Sequence, residues 1–178
     1  YDIYEANPSR SFVISRSGGR LQLKLGDQLL GYFEGLYFAG LDTLHQFRIT
    51  ANRKNRSYFG GLQVRPLKGE IQILNHVDLE HYVAGVVESE AGHVAELEFY
   101  KAQAILARTF AVRNLNKHKA EGYNLKDDVS SQVYFSKAHY TNRDLILKAV
   151  YATRDTILVD LDCDPVLSVF HANSGGFT

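Results

Sequence analysis

The chain carries one cysteine, Cys163, among 178 residues. A single thiol excludes an internal disulfide and leaves too few sulfur ligands for a cysteine-based zinc site. Tryptophan is absent. Any stacking surface for a ligand ring must therefore come from eleven tyrosines and ten phenylalanines, most of which a fold of this size needs in its core. Net charge is missing as well. Twenty Lys and Arg balance twenty Asp and Glu, so no field of one sign points to nucleic acid or to an acidic membrane surface. No run approaches the ~18 apolar residues of a membrane span. No leader segment reads out of the sequence, as a trimmed mature form would equally give. What is present is 45% apolar residues, which argues for a globular fold rather than disorder. The length suffices for one well-cored domain, with or without a small appendage.

Residues 11–75 read as β-rich. Ser11–Ser15 and Arg20–Leu25 alternate apolar and polar positions around Ser17-Gly18-Gly19, a turn signal between two strands. Gln46–Thr50, Gly61–Pro66 and Glu70–Leu74 look like further strands. Pro66 places the end or the edge of its strand there, because proline donates nothing to a ladder. Helices follow. One starts at Leu79 with Asp78 as its N-cap and closes near Gly92; a second runs from about Leu97 to His118; a third covers about Arg143 to Tyr151. Strands are expected again at 156–159 and 166–170, the second running into the glycine pair Gly175-Gly176. Between the second and third helices, Asp127-Asp128 and Ser130-Ser131 make a polar loop. Strands, then helices, then strands imply an α+β fold with a mixed or antiparallel sheet. A β-rich segment over residues 1–68 then precedes a mixed helix and strand core over residues 69–178.

The segment Leu79–Glu90 is the most informative. Read as a helix, Val83, Val86, Val87 and Glu90 fall at i, i+3, i+4 and i+7 and share a face. A carboxylate on that face is held out of bulk water, and desolvation disfavours the charged form, which suits a proton donor near neutral pH. The competing reading leaves Glu90 at the helix end with its head in solvent. In the second helix, Ala102, Ala104, Ala107 and Ala111 are small enough for close backbone approach. Arg108 falls among apolar neighbours, where an arginine pairs with a carboxylate. It either ties two helices together or meets a ligand.

Four segments in order carry a resemblance. They are Leu79-Glu80-His81-Tyr82-Val83-Ala84-Gly85-Val86-Val87-Glu88-Ser89-Glu90, Lys101–Val112, Gln132-Val133-Tyr134 and Ser174-Gly175-Gly176-Phe177-Thr178. This set resembles the SpoIID/LytB family of bacterial cell-wall proteins over roughly Ile71 to Thr178. The resemblance implies a SpoIID-like catalytic core and a peptidoglycan lytic transglycosylase, which cleaves glycan strands with one acid/base and no cofactor. Glu90 matches the catalytic glutamate. The residue after it, usually methionine, is Ala91 here. Glu80 matches the family's "LE" and is expected to anchor Arg108 or cap backbone groups, while Glu88 is expected to point to solvent. Gln103, Arg108, Gln132, Tyr134, His171, Ser174 and Gly175 are the implied substrate-binding set.

The resemblance also implies an extracytoplasmic place at the cell envelope, with a membrane tether in the full-length form, and a core that continues past Thr178. Some members enhance cell-wall amidases instead of cutting glycan, so an amidase partner belongs to a non-catalytic alternative. Metal chemistry reads weakly: the seven histidines form no HExxH, and His76 and His81 do not share a helical face. A serine nucleophile at Ser174 lacks the Gly-x-Ser-x-Gly elbow.

Overall fold

The computed structural model describes residues 11–39, 46–51, 54–92, 94–128, 130–134 and 143–168. Among the described residues, eight strands precede the helices, giving an α+β chain. They are β1 (Phe12–Ser17), β2 (Arg20–Leu25), β3 (Gln28–Phe33), β4 (Leu36–Phe38), β5 (Gln46–Ala51), β6 (Lys54–Phe59), β7 (Gly61–Leu67) and β8 (Glu70–His76). The helices are α1 (Leu79–Ala91), α2 (Leu97–Arg113), a 3-10 turn at Lys119–Glu121 and α3 (Arg143–Ala152). No described helix is long and apolar enough to cross a membrane.

The chain divides into two compact units. The first takes Tyr1–His45 and Gly60–His76, and the second takes Gln46–Phe59 and Val77–Thr178. The boundary expected between residues 68 and 69 falls in the turn that joins β7 to β8.

The first unit holds two antiparallel three-stranded sheets, β1-β2-β3 and β4-β7-β8. Its hairpins are tight. β1 meets β2 from Phe12↔Leu25 to Ser17↔Arg20, and Gly18 takes φ 62°, the left-handed value that a two-residue turn requires at its first position. In the β7–β8 turn both central residues have positive φ, Lys68 at 34° and Gly69 at 100°. Leu21, Leu23 and Val64 are buried apolar side chains of this unit. Pro66 behaves as expected of a strand end: β4 pairs β7 only from Leu62 to Val64, so no neighbour on that side needs the N–H that Pro66 lacks.

In the second unit, β5 pairs β6 as an isolated hairpin. The core is built by Val83, Val86 and Val87 of α1, Tyr100, Ala104 and Ala107 of α2, and Ile146, Ala149 and Val150 of α3. Three of the four alanines expected to permit close approach, Ala104, Ala107 and Ala111, are buried; Ala102 is exposed.

Several expectations are corrected. The second helix stops at Arg113 rather than His118, because Asn114 caps it and its Nδ2 donates to the Phe110 carbonyl at 2.8 Å. Residues 156–168 form no strand: a single antiparallel bridge joins Val159 to Pro165, and the segment is tied to α2 through Leu158 N–H donating to Thr109 Oγ1 at 2.9 Å and Ser168 Oγ donating to the Leu106 carbonyl at 2.8 Å. The remainder of the expected last strand lies outside the described residues.

Candidate active site

Asp78 starts α1 by accepting the Glu80 and His81 N–H groups on Oδ1 at 3.0 and 3.1 Å. These are two of the donors a helix start leaves unsatisfied. Burial alone pushes the Asp78 carboxyl up. The hydrogen bonds from His81 and Glu80 more than offset this and hold it below its ordinary value. From that fixed start, Glu80, Tyr82 and Glu90 leave the helix in three different directions.

Glu80 points inward. Its Oε1 and Oε2 accept from Arg108 Nε and an Arg108 terminal nitrogen at 3.0 and 2.6 Å. Arg108 is 1% exposed and also donates to the carbonyls of Thr156 and Val150, both at 3.1 Å. The guanidinium therefore joins α1, α2, the end of α3 and the segment after it. Its placement among substrate-binding residues is corrected on this geometry: a cation buried against the Glu80 carboxylate and the carbonyls of Ala104, Val150 and Thr156 has no face left for a ligand. The expected link between Glu80 and Arg108 is present.

Tyr82 donates from its hydroxyl to Gln132 Oε1 at 3.0 Å, and Gln132 Nε2 donates to the Ala107 carbonyl at 3.4 Å. Burial pushes the Tyr82 hydroxyl pKa up, and the nearby Tyr134, Asp127 and Glu90 push it further. Tyr134 is itself buried and lies 5.0 Å, ring to ring, from Tyr82 and 6.0 Å from Tyr58. Gln132 and Tyr134 thus serve as anchors of the segment they belong to.

Glu90 is exposed in the last turn of α1. The expectation that it shares the apolar face is corrected. The periodicity sets its direction, but the packed layer ends at Val87, one turn earlier. Its Oε1 accepts the Val133 N–H at 3.1 Å, which orients the carboxylate while its head stays open to water. Glu88, expected in solvent, is half-buried, with Oε2 itself enclosed.

The segment 132–134 is the element these contacts converge on. It is neither helix nor strand, and each of its residues is held separately: Gln132 by α1 and α2, Val133 by Glu90, and Tyr134 by its N–H donating to Asp127 Oδ1 at 2.9 Å. Asp127 Oδ2 pairs with Arg56 of β6 at 2.7 Å. Gln103 is half-buried on α2, one turn before Ala107. His171, Ser174 and Gly175 lie outside the described residues. Among the described residues, no group of three His, Cys, Asp or Glu side chains is arranged to hold a metal ion.

A family model described as SpoIID, Stage II sporulation protein, matches residues 67–159, just over half the chain. The chain belongs to the SpoIID family. Stage II sporulation protein D of Bacillus subtilis is 35% identical over 120 residues, covering 60% of this chain and 35% of that protein. Stage II sporulation protein D of Bacillus amyloliquefaciens is 30% identical over 152 residues, covering 78% and 44%. An uncharacterized protein of Brachyspira hyodysenteriae is 30% identical over 104 residues, covering 58% and 28%. The chain thus spans less than half the length of these relatives. No solved structure matches it. The matched residues include Tyr82, Glu90, Gln132 and Val133.

Two participants were not singled out from the sequence. Asp127 sits in the polar loop five residues before Gln132, and only its contacts with Tyr134 and Arg56 distinguish it from Asp128. Arg56 lies in a polar strand whose residues give no sign of what they will face.

Proposed function

We propose that this chain is a peptidoglycan lytic transglycosylase that cuts between the muramic acid and glucosamine units of glycan strands, with Glu90 as its single acid and base. The observation that carries the reading is the Val133 N–H on Glu90 Oε1 at 3.1 Å. It joins two of the four family segments around one exposed carboxylate, in a chain that belongs to the SpoIID family. Membership of the SpoIID family and the two relatives named Stage II sporulation protein D support a cell-wall-related role in sporulation; the extracytoplasmic side of the envelope, where glycan strands lie, is part of the proposal.

The chemistry needs one carboxyl group. Protonated Glu90 donates to the glycosidic oxygen as the C1–O bond of the muramic unit breaks. The C6 hydroxyl of that unit closes onto C1, and its proton returns to the Glu90 carboxylate. Atoms balance without water, and the product is an anhydro-muramyl end. No second carboxylate is required to hold a water or to form a covalent intermediate, unlike hydrolytic glycosidases. A glycan strand lying over the exposed Glu90 shields the reacting centre from bulk water. Gln103, on the neighbouring helix, is the side chain proposed to meet sugar hydroxyls.

The test is digestion of purified peptidoglycan, intact and stripped of its stem peptides, by the unaltered protein and by Glu90→Gln, with mass spectrometry of the products. Anhydro-muramyl ends that vanish in Glu90→Gln are expected. Because Glu90 is exposed, the substitution should change stability by no more than about 0.5 kcal/mol. Reducing ends would instead indicate a hydrolase. Absence of cleavage with retained glycan binding would overturn the enzyme in favour of an amidase-enhancing partner.

A further inference from the structure

Two carboxylates hold consecutive amides of one short segment. Glu90 accepts the Val133 N–H at 3.1 Å, and Asp127 accepts the Tyr134 N–H at 2.9 Å. The segment 132–134 has no helix or strand ladder to fix its backbone, so these side-chain bonds substitute for one. We infer that Asp127, pinned by Arg56, is a positioning residue for Glu90: it sets the segment whose Val133 N–H orients the acid. The inference rests on Glu90 as the acid in the function proposed above and assigns a role to a residue outside the matched motifs.

Three observations support a functional strut over an incidental contact. The Arg56–Asp127 pair, at 2.7 Å, joins β6 to a loop 71 residues away. Both side chains are only about a third exposed, at 34% and 30%, so water screens the pair incompletely. The Asp127 carboxyl also carries its charge at a cost. Burial raises its pKa, and the Tyr134 N–H and Arg56 offset that only in part, while Asp128 adds to it. The other ionisable groups around this cluster are Tyr58, against Arg56 and Asp127, and Tyr82, which feels both Asp127 and Glu90. A folded-state value above the unfolded one means that the folded chain binds the proton more readily. The charged form at neutral pH therefore opposes folding, and stability declines as pH rises through that range.

Asp127→Asn separates the readings. The amide oxygen can still accept the Tyr134 N–H, while the charge facing Arg56 is gone. The expected result is a melting temperature near that of the unaltered protein, faster hydrogen exchange at the Val133 amide by about 10-fold, and a fall in kcat of about 10- to 100-fold with KM little changed. Arg56→Gln should move the same readouts in the same direction, and it carries the test if Asp127→Asn does not fold. Unchanged Val133 exchange together with unchanged cleavage would overturn the inference. So would a general loss of stability with faster exchange throughout α1 and α2, which marks a merely structural pair. If the unaltered protein cuts no glycan, the transglycosylase reading fails by itself, and Val133 exchange alone decides whether Asp127 positions the amide that meets Glu90.

Discussion

Replacing Glu80 with Gln should be the most damaging single change in the second unit that leaves side-chain volume intact. Arg108 is 1% exposed and Glu80 8%, and they meet through two charge-assisted bonds of 3.0 and 2.6 Å. Removing one partner of such a pair strands the other charge out of water, which costs about 3–5 kcal/mol. The carbonyls of Thr156 and Val150 continue to accept from the guanidinium but carry no charge to neutralise it. For a chain of this length, that loss lowers the melting temperature by roughly 6–20 °C. Replacing both partners, as Glu80→Leu with Arg108→Met, removes the stranded charge. It leaves the Thr156 carbonyl short of a donor, at about 1 kcal/mol, while the Val150 carbonyl still accepts from Thr153, so the double variant should be more stable than Glu80→Gln. Calorimetry and urea unfolding of the single and double variants read this directly. A cost below about 1 kcal/mol for Glu80→Gln, or a double variant no better than the worse single one, refutes the buried-pair argument. Weaker glycan binding by Arg108→Met with unchanged stability would return Arg108 to the substrate.

Tyr82→Phe removes the donor to Gln132 Oε1 and leaves that buried acceptor short of its partner. Urea unfolding should show a loss of about 1–3 kcal/mol; a neutral result would mean that water replaces the hydroxyl. Asp78→Ala removes the cap on the Glu80 and His81 amides and should cost about 1 kcal/mol at neutral pH. The Asp78 carboxyl is held below its ordinary value. Its contribution is therefore complete above the unfolded carboxylate range and lost as pH falls through the lower, folded value. The unaltered protein and Asp78→Ala should converge in stability under acid, and an undiminished gap there would sink the assignment.

Legibility from sequence followed how local each cause is. The start of α1 was legible because Asp78 acts on amides two and three residues away. The β1–β2 hairpin was legible because its turn needs a residue that tolerates positive φ, and Gly18 supplies one. β3, β4 and β6 were not foreseen. Gly31 interrupts β3, β4 has only three residues, and β6 is mostly polar, so none shows the alternation that marks a half-buried strand. The four ordered segments were enough to find the family, and within them Glu90 stood out as the candidate acid.

What the sequence by itself determined was composition, α+β order, family and the identity of the candidate acid, since these depend on residue types and short spacings. Tertiary structure alone decided what surrounds each carboxylate. Glu80, Glu88 and Glu90 lie on one helix within eleven residues, yet one is ion-paired inside, one half-buried and one exposed. Helical periodicity gives a side chain its direction. How far the packed layer extends along that direction depends on residues distant in the chain: Arg108 reaches Glu80 and Val133 reaches Glu90. Asp127 is placed by Tyr134 and by Arg56, 71 residues away. No local pattern encodes contacts of that range, because the energy that selects them belongs to the assembled core.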